Sequence, residues 1–145
     1  MKAKLRRLKD VGLVIVDYLQ LMSSGRRIEN RVQEVSEMTR ALKIMAKELN
    51  VPLIVLSQLA RKTEDRKDGR PQLSDLRESG SIEQDADSVL FLVNDAMATG
   101  EPERQNIMKI VVGKNRHGET GTVEVEWSGR YTKFSSLEKR YDAPV

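Results

Sequence analysis

The sequence predicts an α/β domain with a mostly parallel sheet, flanking helices and an antiparallel hairpin at the C-terminal end. Two short apolar runs, residues 13–16 and 53–56, are rich in valine and isoleucine, like strands covered on both faces of a parallel sheet. Between them, over residues 29–50, apolar residues recur at three- and four-residue steps and predict a helix. Strand, helix and strand form a crossover unit, in which the two strands are parallel.

Further strands are predicted downstream, and there the pattern changes. The runs SVLFLV, at 88–93, and IMKIVVGK, at 107–114, predict a third and a fourth strand of the same kind. The segment TGTVEVEW then alternates apolar and polar residues after a turn with two glycines, KNRHGETG, which predicts an antiparallel hairpin ending near Phe134. We expect one domain over residues 1–136 and a flexible tail over 137–145.

Composition limits the classes of function. The chain has 145 residues and carries 25 Lys and Arg against 22 Asp and Glu, a formal net charge of +3. This balance permits a polyanionic partner without requiring one. The lack of cysteine excludes disulfides, thiolate metal sites and thiol nucleophiles. No apolar run approaches the roughly 18 residues of a membrane span, and the start lacks the apolar segment of a secretory signal, so we expect a cytoplasmic protein.

Two polar residues follow the two predicted parallel strands. Asp17 comes directly after the first apolar run, and Gln58 closes the segment VLSQ after the second. Both are expected at the carboxyl edge of the sheet, where ligands of open α/β sheets bind. A carboxylate there suits Mg²⁺ on a nucleotide phosphate, and an amide can donate to a phosphate oxygen or orient a water. The alternatives are an aspartate that caps the next turn and a glutamine that bonds neighbouring backbone.

Two charged segments are further candidates. In DLRESGSIEQDAD, at 75–87, Arg77 and the backbone amides of residues 79–81 can bind a phosphodiester. Lys114 and Arg116 lie two apart in GKNRHG, so in an extended chain both point to one side and suit a phosphate. A solvated charged turn and edge-strand charges that discourage aggregation are the respective alternatives.

Taken together, four strings resemble the C-terminal ATPase domain of the DnaB family of replicative DNA helicases, from about Lys4 to Phe134. The strings are VIVDYLQLM, VPLIVLSQLAR, DLRESGSIEQDAD and GKNRHGETGTV. The resemblance implies a partial RecA-like P-loop NTPase fold in a homohexameric ring around single-stranded DNA. It also implies ATP and Mg²⁺ as cofactors, translocation and unwinding driven by hydrolysis, and contacts with primase and a helicase loader.

The resemblance also implies roles for individual residues. Asp17 matches the Walker B aspartate that holds Mg²⁺, and Gln58 matches the glutamine of the SQL motif. Arg116 matches the arginine finger, with Lys114 beside it. These four residues form the expected catalytic and nucleotide-binding set. Arg77, Glu78 and Gly80 match residues of a loop that follows the DNA backbone.

One departure from the family is informative. The phosphate-binding pattern G-x-x-x-x-G-K-[ST] does not occur in the sequence. In the family this P-loop lies upstream of the Walker B strand, so we expect the chain alone not to hydrolyse ATP. Two alternatives to the helicase remain: a catalytically inactive helicase-like module that binds protein or nucleic acid, and a fragment of a RadA-type recombinase ATPase.

The same departure has a structural implication. In RecA-like sheets the P-loop strand lies between the strand of residues 53–56 and that of residues 88–93. Without it, two ladders of backbone N–H and C=O groups face a gap. We expect the gap to be closed by joining these strands, by swapping a strand with another copy, or by pairing with the missing half.

Overall fold

The computed structural model describes residues 2–8, 10–25, 28, 30–59, 71–94 and 104–137, and for residues 77–79 only the backbone. The chain divides into two compact units. The first holds the described residues up to 59 and from 72 to 87, and the second holds Pro71 and those from 88 onward. The predicted tail, from 138 on, lies outside the described residues. Every helix within the described ranges is too short or too polar to span a membrane.

The first unit contains the predicted crossover. In chain order its regular elements are α1 (Lys2–Leu5), β1 (Val14–Val16), α2 (Arg31–Leu49), β2 (Leu53–Val55) and α3 (Gly80–Asp85). The two strands pair in parallel, with Val14 opposite Leu53 and Val16 opposite Val55. Short 3-10 helices lie after β1, at Leu19–Leu21, and before α3, at Leu73–Ser79. Strand, helix and parallel strand are therefore confirmed.

The helix α2 is built as its sequence predicts. The Asn30 side chain caps its start by accepting a hydrogen bond from the Val32 amide at 2.9 Å. Asn50 ends it in the left-handed conformation, with φ at 52°. Between these ends one face of the helix is buried, and this face packs with β1 and the following 3-10 helix in a single core. The core cluster consists of Val16, Leu19, Val35, Met38, Leu42 and Met45.

Only one face of the parallel pair is covered in the first unit. Val14 and Val16 are buried, whereas Ile15, between them, is 60% exposed and Ile54 on β2 is 48% exposed. The expectation that the first strand is covered on both faces is wrong for the described residues. The reason is that α2 packs on one side of the pair, and Ile15 and Ile54 point to the other side.

The second unit is an antiparallel sheet of four strands in the order β3-β4-β5-β6. These strands are β3 (Ser88–Val93), β4 (Ile107–Asn115), β5 (Gly121–Ser128) and β6 (Lys133–Ser136). The predicted hairpin between β4 and β5 is confirmed. The prediction of a fourth parallel strand at 107–114 is wrong, because β4 runs antiparallel to β3, with Phe91 opposite Val111. An apolar run indicates that a strand is buried, and it does not indicate the direction of its neighbour.

The two faces of β3 have different surroundings. Val89, Phe91 and Val93 are buried, and Leu90 and Leu92 are each 60% exposed. The Phe91 ring lies over β4 at Gly113, where a Cβ would come within 2.5 Å of the ring. Gly113 is therefore required by the close approach of this ring.

The predicted fold class, α/β with a parallel and an antiparallel part, is confirmed. Among the described residues, however, β1 and β2 form one sheet and β3 to β6 form another. Direct joining of β2 to β3, the first of the three expected ways to close the gap, is therefore not found. The other two, strand exchange and pairing with the missing half, remain predictions.

The neighbours Phe91 and Leu92 provide a test of this sheet. Phe91→Ala is expected to lower the free energy of unfolding by about 3–5 kcal/mol, because it empties the space over Gly113. Leu92→Ala is the matched control and is expected to change it by less than about 0.5 kcal/mol, since the side chain already faces solvent. Urea unfolding of both variants measures the difference. Equal losses would show that the two faces of β3 are not distinct.

Candidate functional site

The chain segments that leave β1 and β2 stay paired beyond the strands. The Leu56 amide donates to the Val16 carbonyl at 2.9 Å, and the Leu19 amide donates to the Leu56 carbonyl, also at 2.9 Å. These bonds hold the residues that follow both strands at one edge of the sheet. This is the carboxyl edge, where ligands of open α/β sheets bind.

An open pocket of about 390 Å³ lies at this edge, lined by Asp17, Tyr18, Leu56, Ser57 and Gln58. The structure thus places two predicted site residues, Asp17 and Gln58, around one pocket. Asp17 is exposed, so solvent and ligands reach its carboxylate. The peptide bond between Asp17 and Tyr18 is cis.

The donor atoms of this pocket fit a magnesium ion that is also bound by phosphate. The pocket lining includes the Asp17 carboxylate and the Gln58 amide, whose oxygens are ligands of the kind that Mg²⁺ prefers. In the described part of the chain no cluster of three or more His, Cys, Asp or Glu is present that can hold a metal by itself. Asp17 therefore suits an ion that takes most of its ligands from water and from a nucleotide.

Gln20, which the sequence analysis did not single out, bridges the two segments that form the pocket. Its Nε2 donates to Ser57 Oγ at 3.0 Å and to the Gln58 carbonyl at 3.2 Å. Its Oε1 accepts from the Gln58 backbone N–H at 3.3 Å. The only signal in the sequence is a polar residue between Leu19 and Leu21, directly after the strand.

The start of α2 is bonded to the segment that follows β1. The Arg31 guanidinium donates to the Gln20 carbonyl at 3.0 Å and to the Met22 carbonyl at 3.3 Å, and it pairs with Glu34. Glu34 in turn accepts from the Ser24 backbone N–H at 2.9 Å. This N–H, followed by the Arg31 guanidinium, lowers the pKa of the Glu34 carboxyl below its ordinary value.

The predicted DNA-binding segment has a different conformation from the expected turn. Residues 73–79 form 3-10 turns with a kink at Leu76, they begin with a reciprocal capping box between Gln72 and Asp75, and α3 follows directly. Gly80 has a helical φ of −51°, and no heavy atom lies within 4 Å of a Cβ built there. Neither conformation nor space therefore requires glycine. The side chains of Arg77 and Glu78 lie outside what the structure describes.

The helix α3 is held against α2 by polar contacts. Thr39 Oγ1 donates to Asp85 Oδ2 at 2.9 Å, and Arg40 pairs with the same carboxylate at 3.5 Å. Lys43 pairs with Asp87. The segment with Arg77 is thus attached to the same helix whose start is bonded to the segment that follows β1.

The remaining two predicted residues belong to the second unit. Lys114 lies in β4, opposite Val89, whereas Arg116 lies in the exposed turn after Asn115. The extended chain expected to carry both cations does not continue to Arg116, because β4 ends at Asn115. Their presentation on one side stays a prediction. Asn115, which the sequence analysis missed, shapes this turn: its Oδ1 accepts from the His117 amide at 3.4 Å, and its Nδ2 donates to the Glu119 carbonyl at 3.3 Å.

Comparison with known sequences identifies the relatives of this chain. The family described as the DnaB-like helicase C terminal domain matches residues 1–136. Replicative DNA helicase DnaB of Geobacillus stearothermophilus is 52% identical over 145 residues, which cover 97% of this chain and 32% of the relative. Replicative DNA helicase DnaC of Bacillus subtilis has the same identity and coverage. The chain therefore spans about a third of the curated relatives it matches.

Two solved structures are also similar to this chain. A DnaB-like replicative helicase, studied with its interactions with primase, is similar with a TM-score of 0.85 and 42% identity, over 94% of this chain and 33% of that one. A separately solved ATPase domain has the same TM-score and identity, over 94% of this chain and 48% of that one. The resemblance drawn from the sequence motifs is confirmed.

Glu34 provides a pH test of the contacts around the pocket. A carboxyl whose pKa is lowered by folding stabilises the folded chain above its unfolded pKa, about 4.3, and loses that contribution as the pH falls through the folded value. Glu34→Gln removes this contribution. Unfolding free energies measured from pH 6 to pH 3 should therefore differ most between wild type and variant at pH 6, and the difference should shrink as the pH falls. Glu37→Gln, exposed on the same helix, is the control. A difference in unfolding free energy that stays constant with pH contradicts the role of Glu34.

Proposed function

This chain belongs to the DnaB-like helicase C terminal domain family, and from that premise we propose that it forms the part of a replicative helicase motor that follows the P-loop. The observation that carries the proposal is the pocket at the carboxyl edge of the parallel pair, with Asp17 and Gln58 in its lining. ATP bound there with Mg²⁺ supplies the phosphoryl group whose hydrolysis drives movement. The P-loop segment that binds the phosphates is supplied from outside this chain.

Each residue of the pocket has a proposed task. The Asp17 carboxylate holds Mg²⁺ directly or through water, and the pocket's open side admits the phosphates. The Gln58 amide donates to a phosphate oxygen or orients the attacking water. Gln58 also begins the segment that leaves the sheet edge. Hydrolysis, which changes the phosphate contact of the Gln58 amide, therefore also changes the position of that segment.

The remaining features of the proposal concern assembly and DNA. Homohexamers enclose single-stranded DNA, whose phosphates are contacted by the segment with Arg77, Glu78 and Gly80. The net charge of +3 is compatible with this polyanion. Primase and a loader are proposed partners, and the similar helicase studied with primase supports the first of them. The family match favours the helicase over the recombinase fragment.

The Walker B role of Asp17 is tested in a chimera. This chain replaces the segment it matches in Geobacillus stearothermophilus DnaB, so that an upstream half is present. The chimera is expected to hydrolyse ATP in the presence of single-stranded DNA, and Asp17→Asn is expected to abolish hydrolysis because the Mg²⁺ ligand is lost. Asp10→Asn is the matched control, since Asp10 is exposed and its positive φ of 57° suits asparagine.

Two results would overturn this proposal. An Asp17→Asn chimera that retains wild-type turnover would remove Asp17 from the site. A folded chimera that binds single-stranded DNA without hydrolysing ATP would support the inactive nucleic-acid-binding module instead.

Arg116 is proposed to act on the nucleotide of a neighbouring subunit, with Lys114 beside it. An arginine finger supplied in this way contributes on the order of 10³ to 10⁵ in rate by stabilising charge on the transferred phosphoryl group. Arg116→Ala chimeras are mixed with chimeras whose P-loop lysine is replaced. Each is inactive alone, and mixed rings are expected to regain activity, because one subunit supplies the finger and the other the P-loop. Mixed rings that stay inactive contradict the action in trans.

A further inference from the structure

Gln20 makes an unusual pair of contacts at the edge of the parallel sheet. One primary amide bonds both backbone groups of a single residue: its Nε2 donates to the Gln58 carbonyl, and its Oε1 accepts from the Gln58 N–H. In an antiparallel sheet, a residue on the neighbouring strand bonds its partner in the same way, with one N–H donor and one C=O acceptor. The side chain thus continues the pairing of β1 and β2 past the point where the backbone ladder ends.

This pairing fixes the orientation of the Gln58 backbone. With both its N–H and its C=O bonded to one rigid planar group, the residue cannot rotate without breaking two hydrogen bonds. A third bond, from Nε2 to Ser57 Oγ at 3.0 Å, holds the preceding residue of the pocket lining. The orientation of the amide is consistent with every partner, because nitrogen faces two acceptors and oxygen faces a donor.

Gln20 is itself held from the other side. The Arg31 guanidinium, at the first residue of α2, donates to the Gln20 carbonyl at 3.0 Å. Arg31 is in turn paired with Glu34. Backbone and side chain of Gln20 therefore connect the start of α2 to the exit of β2, over 37 positions in sequence between Gln20 and Ser57.

From these contacts we infer that Gln20 is a positioning residue for ATP hydrolysis, which sets the direction of the Gln58 side chain at the nucleotide pocket. The inference rests on the proposed function for the role of Gln58. Gln20 does not line the pocket, so it acts through Gln58 and not on the nucleotide. Its loss affects the step that Gln58 serves and leaves binding of ATP to the P-loop and Asp17 in place.

The first test needs no nucleotide and uses this chain as it is. Gln20→Met keeps the length of the side chain and removes all three bonds. Hydrogen exchange at the Gln58 amide is expected to become faster by up to roughly tenfold, the value of one net hydrogen bond. The Ile54 amide on β2 reports whether the fold is intact and is expected to stay unchanged. Gln33→Met, exposed on α2, is the control. Unchanged exchange at Gln58 overturns the inference.

The second test measures turnover in the chimera described above. Gln20→Met is expected to lower kcat for ATP at least tenfold with KM changed less than twofold, and Gln33→Met is expected to change neither. In a Gln58→Ala background Gln20→Met is expected to have no further effect on kcat, because its route of action is already lost. A purely structural role would instead lower kcat by the same factor in both backgrounds, and that result overturns the inference.

The outcomes separate the two proposals. If Asp17→Asn and Gln58→Ala leave turnover unchanged, the proposed function of the pocket fails. If Asp17→Asn abolishes turnover and Gln58→Ala lowers it while Gln20→Met leaves kcat unchanged, the pocket stands and the role of Gln20 fails.

Discussion

The packing of α2 against the parallel pair is the constraint on which the first unit depends. Six apolar side chains from α2, β1 and the following 3-10 helix form one core, in which Leu19 is the most deeply buried at 1% exposure. Burial of each such side chain stabilises the fold by about 1.5–3 kcal/mol. Because Leu19 lies two residues after Asp17, the same packing that holds the core holds the chain that bears the pocket. Hydrophobic contacts thus position the edge of the sheet, and the polar contacts of Gln20 orient the residues along it.

The features that could be predicted from the sequence are those that depend on local pattern. The helix α2 repeats its apolar residues over five turns, which no strand or loop does, and its ends carry Asn30 and Asn50 as caps. The parallel pair follows from two apolar runs around a helix, because such a crossover leaves only one direction for the second strand. The approach of Asp17 and Gln58 follows from this pair alone. The placement of the pocket could therefore be predicted from the order of the amino acids.

The features that could not be predicted depend on partners distant in sequence. The direction of β4 is decided by its pairing with β3, and an apolar run looks the same in either direction. The segment 73–85 is helical, whereas its alternating charges and Gly80 suggested a turn. Its end is held by contacts of Asp85 with Thr39 and Arg40 on the distant helix α2. Gln20 has its role through Gln58, and neither residue type nor local spacing indicates that contact.

The exposed apolar side chains of both sheets have a consequence for calorimetry. Ile15 and Leu90, on the uncovered faces of β1 and β3, are each 60% exposed in the folded chain. The heat capacity change of unfolding grows with the apolar area that unfolding newly exposes to water. Area that is already wet contributes nothing to it. The plot of unfolding free energy against temperature is therefore less curved for this chain than for a domain of the same length whose sheets are covered on both faces.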